Sequence, residues 1–216
     1  MEKDLNYRGL ELSEVHLDAL REICNIGMGH AATAFNQMIN KPVLLSIPEI
    51  SIVPLAEVPD MIGGTDQLVA GIYLRVWGDI QGNILLVFPR ESTRALCSLL
   101  TGGAPENELV LSEIHASALR EIGNILVSSY LSALERLLGK TLIPSVPSVA
   151  FDMAGAIVDY ILIQLGEEVD HTLVVKAEFS GGGRGIKGHF YLLPDPPSLR
   201  LILEAAKVLA VEEASG

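Results

Sequence analysis

Across 216 residues the chain carries 49% hydrophobic residues, 5% aromatic ones and a formal charge of −12. Such a composition has enough apolar mass for one large or two small globular bodies and excludes an intrinsically disordered chain. The excess of negative charge repels phosphate backbones and argues against general nucleic-acid binding.

The N-terminal "MEKDLNYRG" lacks a basic segment followed by an apolar one, so it does not read as a secretory leader. Mean hydropathy is high at +0.38. Yet the apolar runs "LVAGIYLRVW" and "AGAIVDYILIQL" are broken by charge well short of the ~20 residues a membrane span needs. The expectation is a cytoplasmic protein with no membrane insertion. Its two cysteines, Cys24 and Cys97, are expected to be reduced, buried thiols, and no C-x-x-C or Cys/His cluster offers a structural metal site.

The first periodic segment begins at Ser13, a candidate N-cap followed by Glu14 in the first turn. It is expected to run as a helix to about Met38, with Asn40 as its stop. Strand-like runs follow near 43–58, 69–77 and 82–88, then a helix near 90–101 and the turn-rich joint "TGGAPENE". A second long helix is read from its N-cap Ser112 to about Leu138, with Gly139 as its stop. Strands near 148–155, 157–165, 171–179 and 186–193 come next, and a closing helix near 197–210. His16 and His115 occupy the capping-box position of the two long helices and read as first-turn or core histidines. "GGGRG" at 181–185 lies between two strand-like runs, where a hairpin turn suits it better than a phosphate loop. Arg184 and Lys187 give that turn a local positive spot.

The order of elements repeats, and so do the residues. Residues 12–48 overlay 111–147 at a constant offset of 99 without a gap. "LSEVHLDALREICNI" and "LSEIHASALREIGNI" agree at eleven of fifteen positions, and Lys41, Ser46 and Pro48 match Lys140, Ser145 and Pro147. The chain is a tandem duplication. Helices flanking antiparallel strands make it α+β. We expect a pseudo-two-fold internal duplication, with long motif helices packed on a continuous, mainly antiparallel β-sheet. All of 1–216 is read as a single domain of two repeats, about 12–104 and 111–210.

At 3.6 residues per turn, Asp18, Glu22 and Asn25 share one helix face, as do Ser117, Glu121 and Asn124. Leu20, Ile23 and Ile26, with Leu119, Ile122 and Ile125, supply apolar contacts beside that stripe. Asparagine is a mediocre helix former, so keeping it in mid-helix twice calls for a reason. Three readings stay open on the residues: a structural hydrogen bond, catalysis and docking. Chemistry narrows the second, because an amide has no proton to trade near neutral pH yet can orient a nucleophilic water. A neighbouring glutamate can hold a lysine or a metal-bound water.

The pattern [Asp/Ser]-x-x-x-Glu-x-x-Asn followed after 22 residues by Pro resembles the signature of the CheC/CheX/FliY family of chemotaxis phosphatases, the CheC branch most. Asp18, Glu22, Asn25 and Pro48 meet it once; Ser117, Glu121, Asn124 and Pro147 meet it again. The resemblance implies an enzyme that dephosphorylates the phosphorylated response regulator CheY. It implies Glu22 and Glu121 paired with the regulator's lysine, and Asn25 and Asn124 orienting water against its aspartyl phosphate. Asp18, Ser117, Pro48 and Pro147 would be supporting residues. The resemblance places Mg²⁺ in the regulator, with no cofactor or metal held by this chain, and makes the receptor deamidase CheD a partner. A CheD-binding adaptor, or a flagellar-switch component with little catalysis, is the alternative. The copies differ after the motif, "IGMGHAATAF" against "ILVSSYLSAL". Gly27 and Gly29 are expected to loosen the first helix and leave the second face the larger share of activity.

Overall fold

The computed structural model describes residues 5–7, 10–12, 14–45, 49–54, 57–61, 64–103, 111–165, 171–181 and 186–213. The Ser13 cap, Pro48, residues 104–110 of the joint and the glycine turn at 182–185 lie outside them.

A short hairpin, β1 (Leu5–Tyr7) and β2 (Leu10–Leu12), precedes the first long helix α1 (Glu14–Ile39). The first copy continues through β3 (Val43–Leu45), β4 (Glu49–Pro54), the single turn α2 (Val58–Met61), β5 (Leu68–Gly78), β6 (Gly82–Pro89) and α3 (Arg90–Thr101). The second contains α4 (Glu113–Leu138), β7 (Leu142–Pro144), β8 (Ser148–Met153), α5 (Ala154–Leu165), β9 (His171–Gly181), β10 (Ile186–Pro194) and α6 (Pro196–Glu213). The long helices stop where the sequence indicates. Asn40 takes a positive φ of 52°, and Gly139 a φ of 60° while its N–H bonds Glu135 O at 2.9 Å.

Two readings of the sequence are corrected. The segment 157–165 is not a strand but most of α5. Its burial follows a helical period: Ala154, Ile157 and Val158 are covered, while Asp159, Tyr160 and Ile163 are exposed. The run at 43–58 is not one strand but β3 and β4, then the turn of α2. The hairpin β1–β2 has no counterpart among the sequence expectations.

Among the described residues eight strands form one sheet in the order β3-β9-β10-β6-β5-β7, with β4 also along β9 and β8 also along β5. Each pairing is antiparallel. The centre is the β6–β10 pair, in register from Val87↔His189 to Gly82↔Pro194. About this centre the copies are exchanged. β3 and β4 of the first copy pair with β9 of the second, and β7 and β8 of the second pair with β5 of the first. The sheet is therefore continuous and the duplication pseudo-two-fold.

The pleat sorts side chains onto two faces. Ala70, Ile72, Leu74, Ile84, Leu86, Phe88, Phe190 and Leu192 meet the apolar faces of α1, α3, α4 and α6 in the larger core. Val69, Leu85, Val87, Tyr191 and Leu193 point the other way, beneath α5 and Met61. Both long helices thus lie on the same side of the sheet, packed on each other. Their contact needs a glycine: a Cβ on Gly27 would stand 2.6 Å from the ring of Tyr130. Tyr130 fills that space, meets Phe190 in a tilted ring pair at 4.8 Å and donates its hydroxyl to Cys24 Sγ at 3.6 Å.

Candidate functional site

On α1, Leu17, Leu20, Ile23, Cys24, Gly27 and Met28 are buried, which turns Asp18, Glu22 and Asn25 outward. On α4, Leu119, Ile122, Gly123, Leu126 and Val127 are buried, and Ser117, Glu121 and Asn124 are exposed. Ile26 and Ile125 do not join the core as fully as the pattern suggests; Ile26 is exposed and Ile125 half-buried. Each motif face is a solvent-facing stripe on a helix whose opposite side is anchored in the core.

The beginning of α4 is fixed by a local clamp. Ser112 Oγ accepts the His115 N–H at 3.4 Å and lies 2.8 Å from His115 Nδ1, while His115 Nε2 lies 3.2 Å from Gly103 O. An imidazole protonated at Nε2 satisfies both ends, accepting from the serine and donating to the carbonyl. His115 is thereby a first-turn histidine with structural bonds.

Among the described residues, the side chains of Glu22, Asn25, Glu121 and Asn124 make no hydrogen bond or ion pair. A mid-helix asparagine held for a bond within the described part of the fold would show its partner here. These amides instead present unspent donors and acceptors to solvent. Asp18 differs, since Arg21 Nη1 lies 2.6 Å from its Oδ1 and 4.0 Å from Glu14 Oε2. This pair is absent from the sequence expectations. "DALR" against "SALR", an acid three residues before a base in one copy only, was its signal.

The helix turn bearing Asn124 sits close upon the sheet. A Cβ on Gly123 would lie 2.5 Å from Ile72 Cγ2 and 3.6 Å from Pro147 Cβ. Pro147, buried between β7 and β8, thus lies beneath the second motif helix. The matching position in α1 is Cys24, whose thiol burial pushes up to about 11. The expectation that glycines loosen α1 fails at Gly27, which is filled by Tyr130. Gly29 alone is open, with no atom beyond its chain neighbours and its own helix backbone within 4 Å of where an added methyl would stand, and α1 continues through both without a break.

Two other concavities lie apart from these stripes. A cleft of about 410 Å³ on the opposite sheet face is lined by Tyr73, Asp152, Ile157 and Tyr160. There Tyr73 donates to Asn83 Oδ1 at 2.6 Å and meets Tyr160 edge-on at 6.0 Å. A shallow polar groove of about 360 Å³ runs between α1 and α4, past His30, Gln37, Ser132 and Arg136. No group of three or more His, Cys, Asp or Glu side chains among the described residues is arranged to hold a metal ion. No helix among them is long and apolar enough to cross a membrane.

Fold and site together define a duplicated α+β protein that displays a Glu/Asn pair on each of two equivalent helices. Residues 15–52 and 114–150, which carry both stripes and both prolines, match the CheC-like family. The chain is 35% identical over 198 residues to the CheY-P phosphatase CheC of Bacillus subtilis, covering 90% of this chain and 95% of that one. The chain belongs to the CheC-like family. It is also 28% identical over 140 residues to the flagellar motor switch phosphatase FliY of the same organism, where the match spans 36% of that longer protein. The crystal structure of Thermotoga maritima FliY shares the fold, with a TM-score of 0.73 at 22% identity over 92% of this chain and 98% of that one.

Proposed function

We propose that this chain is a phosphatase of the phosphorylated chemotaxis regulator CheY, with one reaction face on α1 and one on α4. The observation that carries this reading is the pair of outward Glu/Asn couples, Glu22 with Asn25 and Glu121 with Asn124, whose side chains are unengaged among the described residues. A relative of nearly equal length that bears the name CheY-P phosphatase supports it. Each glutamate binds the regulator's lysine ammonium and sets the register of docking. The asparagine one turn on enters the regulator's site, where its amide accepts from an attacking water and orients it. The water oxygen bonds to phosphorus, the bond to the aspartyl oxygen breaks, and the carboxylate leaves as inorganic phosphate forms. Positioning is the main task when the scissile group is already an activated acyl phosphate.

The phosphoaspartate and its Mg²⁺ belong to the regulator in this scheme, and the chain itself brings side chains only. Binding of CheD and a cytoplasmic location are parts of the same proposal. The deciding experiment is phosphate release from phospho-CheY with and without the chain. Acceleration that vanishes in the Asn25→Ala/Asn124→Ala double variant is the expected result. Binding of the regulator without acceleration would replace this reading with the adaptor one.

A further inference from the structure

The two motif helices differ at one position that changes the charge state of their outer faces. In α1 the guanidinium of Arg21 is engaged within the helix, 2.6 Å from Asp18 and 4.0 Å from Glu14. In α4 the equivalent of Asp18 is Ser117, and Arg120 makes no ion pair or hydrogen bond among the described residues. At about 100° per residue, each arginine lies roughly 40° from its motif asparagine, and the glutamate roughly 60° to the other side. The amide therefore sits between a cation and an anion on both helices. On α1 the cation is already paired with its neighbour.

We propose that Arg120 is an anion-binding residue of the second face, donating to an anionic oxygen of the docked regulator, and that Asp18 masks the same function of Arg21 on the first. This rests on the phosphatase reading. Glu121 captures the partner's ammonium, and Arg120, across the asparagine, takes the negative group that accompanies it. That group is a phosphoryl oxygen or a carboxylate beside it; a guanidinium fork suits both. Arg120 is half-buried, and partial exclusion from water makes its charge act more strongly at short range. An intrahelical acid competes with that use, so Asp18 and Ser117 set the strength of their faces through the arginines. Both are surface positions whose exchange leaves the fold intact.

The test swaps the two residues on single-face backgrounds. With Asn25→Ala in place, only the second face works, and Ser117→Asp should raise KM for phospho-CheY about two- to five-fold, a change typical of a lost rim charge pair. With Asn124→Ala in place, Asp18→Ser should lower KM by a similar factor. Arg120→Gln should reproduce Ser117→Asp, and Arg120→Lys should restore part of the loss. The effects should fall on KM more than kcat and shrink at high ionic strength. Kd is read in parallel against regulator loaded with beryllium fluoride, a stable stand-in for its acyl phosphate. A Kd change confined to the loaded regulator assigns the phosphoryl oxygen, and an equal change with unloaded regulator assigns the carboxylate. Unchanged KM and Kd in both swaps overturns the proposal, as does equal loss from Arg21→Gln and Arg120→Gln. Wild-type chain that binds without turnover removes the hydrolytic reading while the Kd swaps still decide this one. Wild-type chain that neither binds nor turns over removes both.

Discussion

Among the described residues Asn25 and Asn124 make no side-chain bond, and each replaces a better helix former at a cost of about 0.5 kcal/mol. Changing both to alanine should therefore abolish most turnover while stability toward urea stays equal or rises by up to about 1 kcal/mol. A double variant that unfolds more easily would return the asparagines to a structural role. The buried thiols make an opposite kind of prediction. Burial raises Cys24 from 9.0 to about 11 and Cys97 likewise, and raises Tyr130 well above its ordinary value. Between pH 9 and 11 the unfolded chain releases protons that the folded chain keeps. The stabilisation from a neutral Cys24 is complete below pH 9 and lost as pH rises through 11, amounting to about 2–3 kcal/mol. Denaturation midpoints should be flat near neutrality and fall across that alkaline interval. A midpoint that rises there would show the thiol assignment to be wrong. At this scale the sequence was most legible where chemistry is local: Asn40 and Gly139 at helix ends, the Ser112 cap and the outward stripes. The Arg21–Asp18 pair is equally local, and its spacing of three residues was there to be read.

The two long helices are alike in sequence but not in how they fit each other. Gly27 accepts the Tyr130 ring where its counterpart in α4 is Leu126, and Tyr130 stands where α1 has Ala31. Large and small residues are thus exchanged across the pseudo-two-fold at this contact. Gly27→Ala should destabilise by about 1–3 kcal/mol, since the methyl would need Tyr130 to move from a fully buried position. Gly29→Ala, with open space around it, should stabilise by about 0.5–1 kcal/mol. Urea titrations of the two variants check this, and equal signs would mean that the helix contact is not the one described. The failure at α5 has a related cause. "AIVDYILI" has the β-branched richness of a strand. Its helical period shows only once Ile157 and Val158 are seen to cover Gly71, Val69 and Leu85 of the second sheet face. Twelve residues with apolar side chains nearly all round leave periodicity little to report.

For the whole molecule, duplication was legible because it is written in identities at one offset. The exchange of strands was not, since nothing in residues 43–54 names β9, more than a hundred residues later, as their neighbour. Pairing partners of that range are set by the assembled sheet. The exchange carries a prediction: residues 1–104 and 105–216, produced separately, should not yield monomers that unfold cooperatively. Each half would leave β5 or β9 without the strands that cover its edge. Mixed together, the halves should regain the far-ultraviolet signal and single transition of the intact chain. Two independently stable monomeric halves, seen by calorimetry and sedimentation, would contradict this.

The same exchange sets a timetable for synthesis. Pro54 leaves the ribosome 127 residues before Gly181, the far end of the strand it must wait for. At roughly 5–20 residues per second that is a delay of about 6–25 s. Until Met153 is made the first copy carries a β5 edge without β7 and β8, and until Gly181 is made β3 and β4 have no template. The nascent first half is thus the species most exposed to sticking to its own kind, and slowing elongation between residues 54 and 181 lengthens that exposure without changing the finished protein.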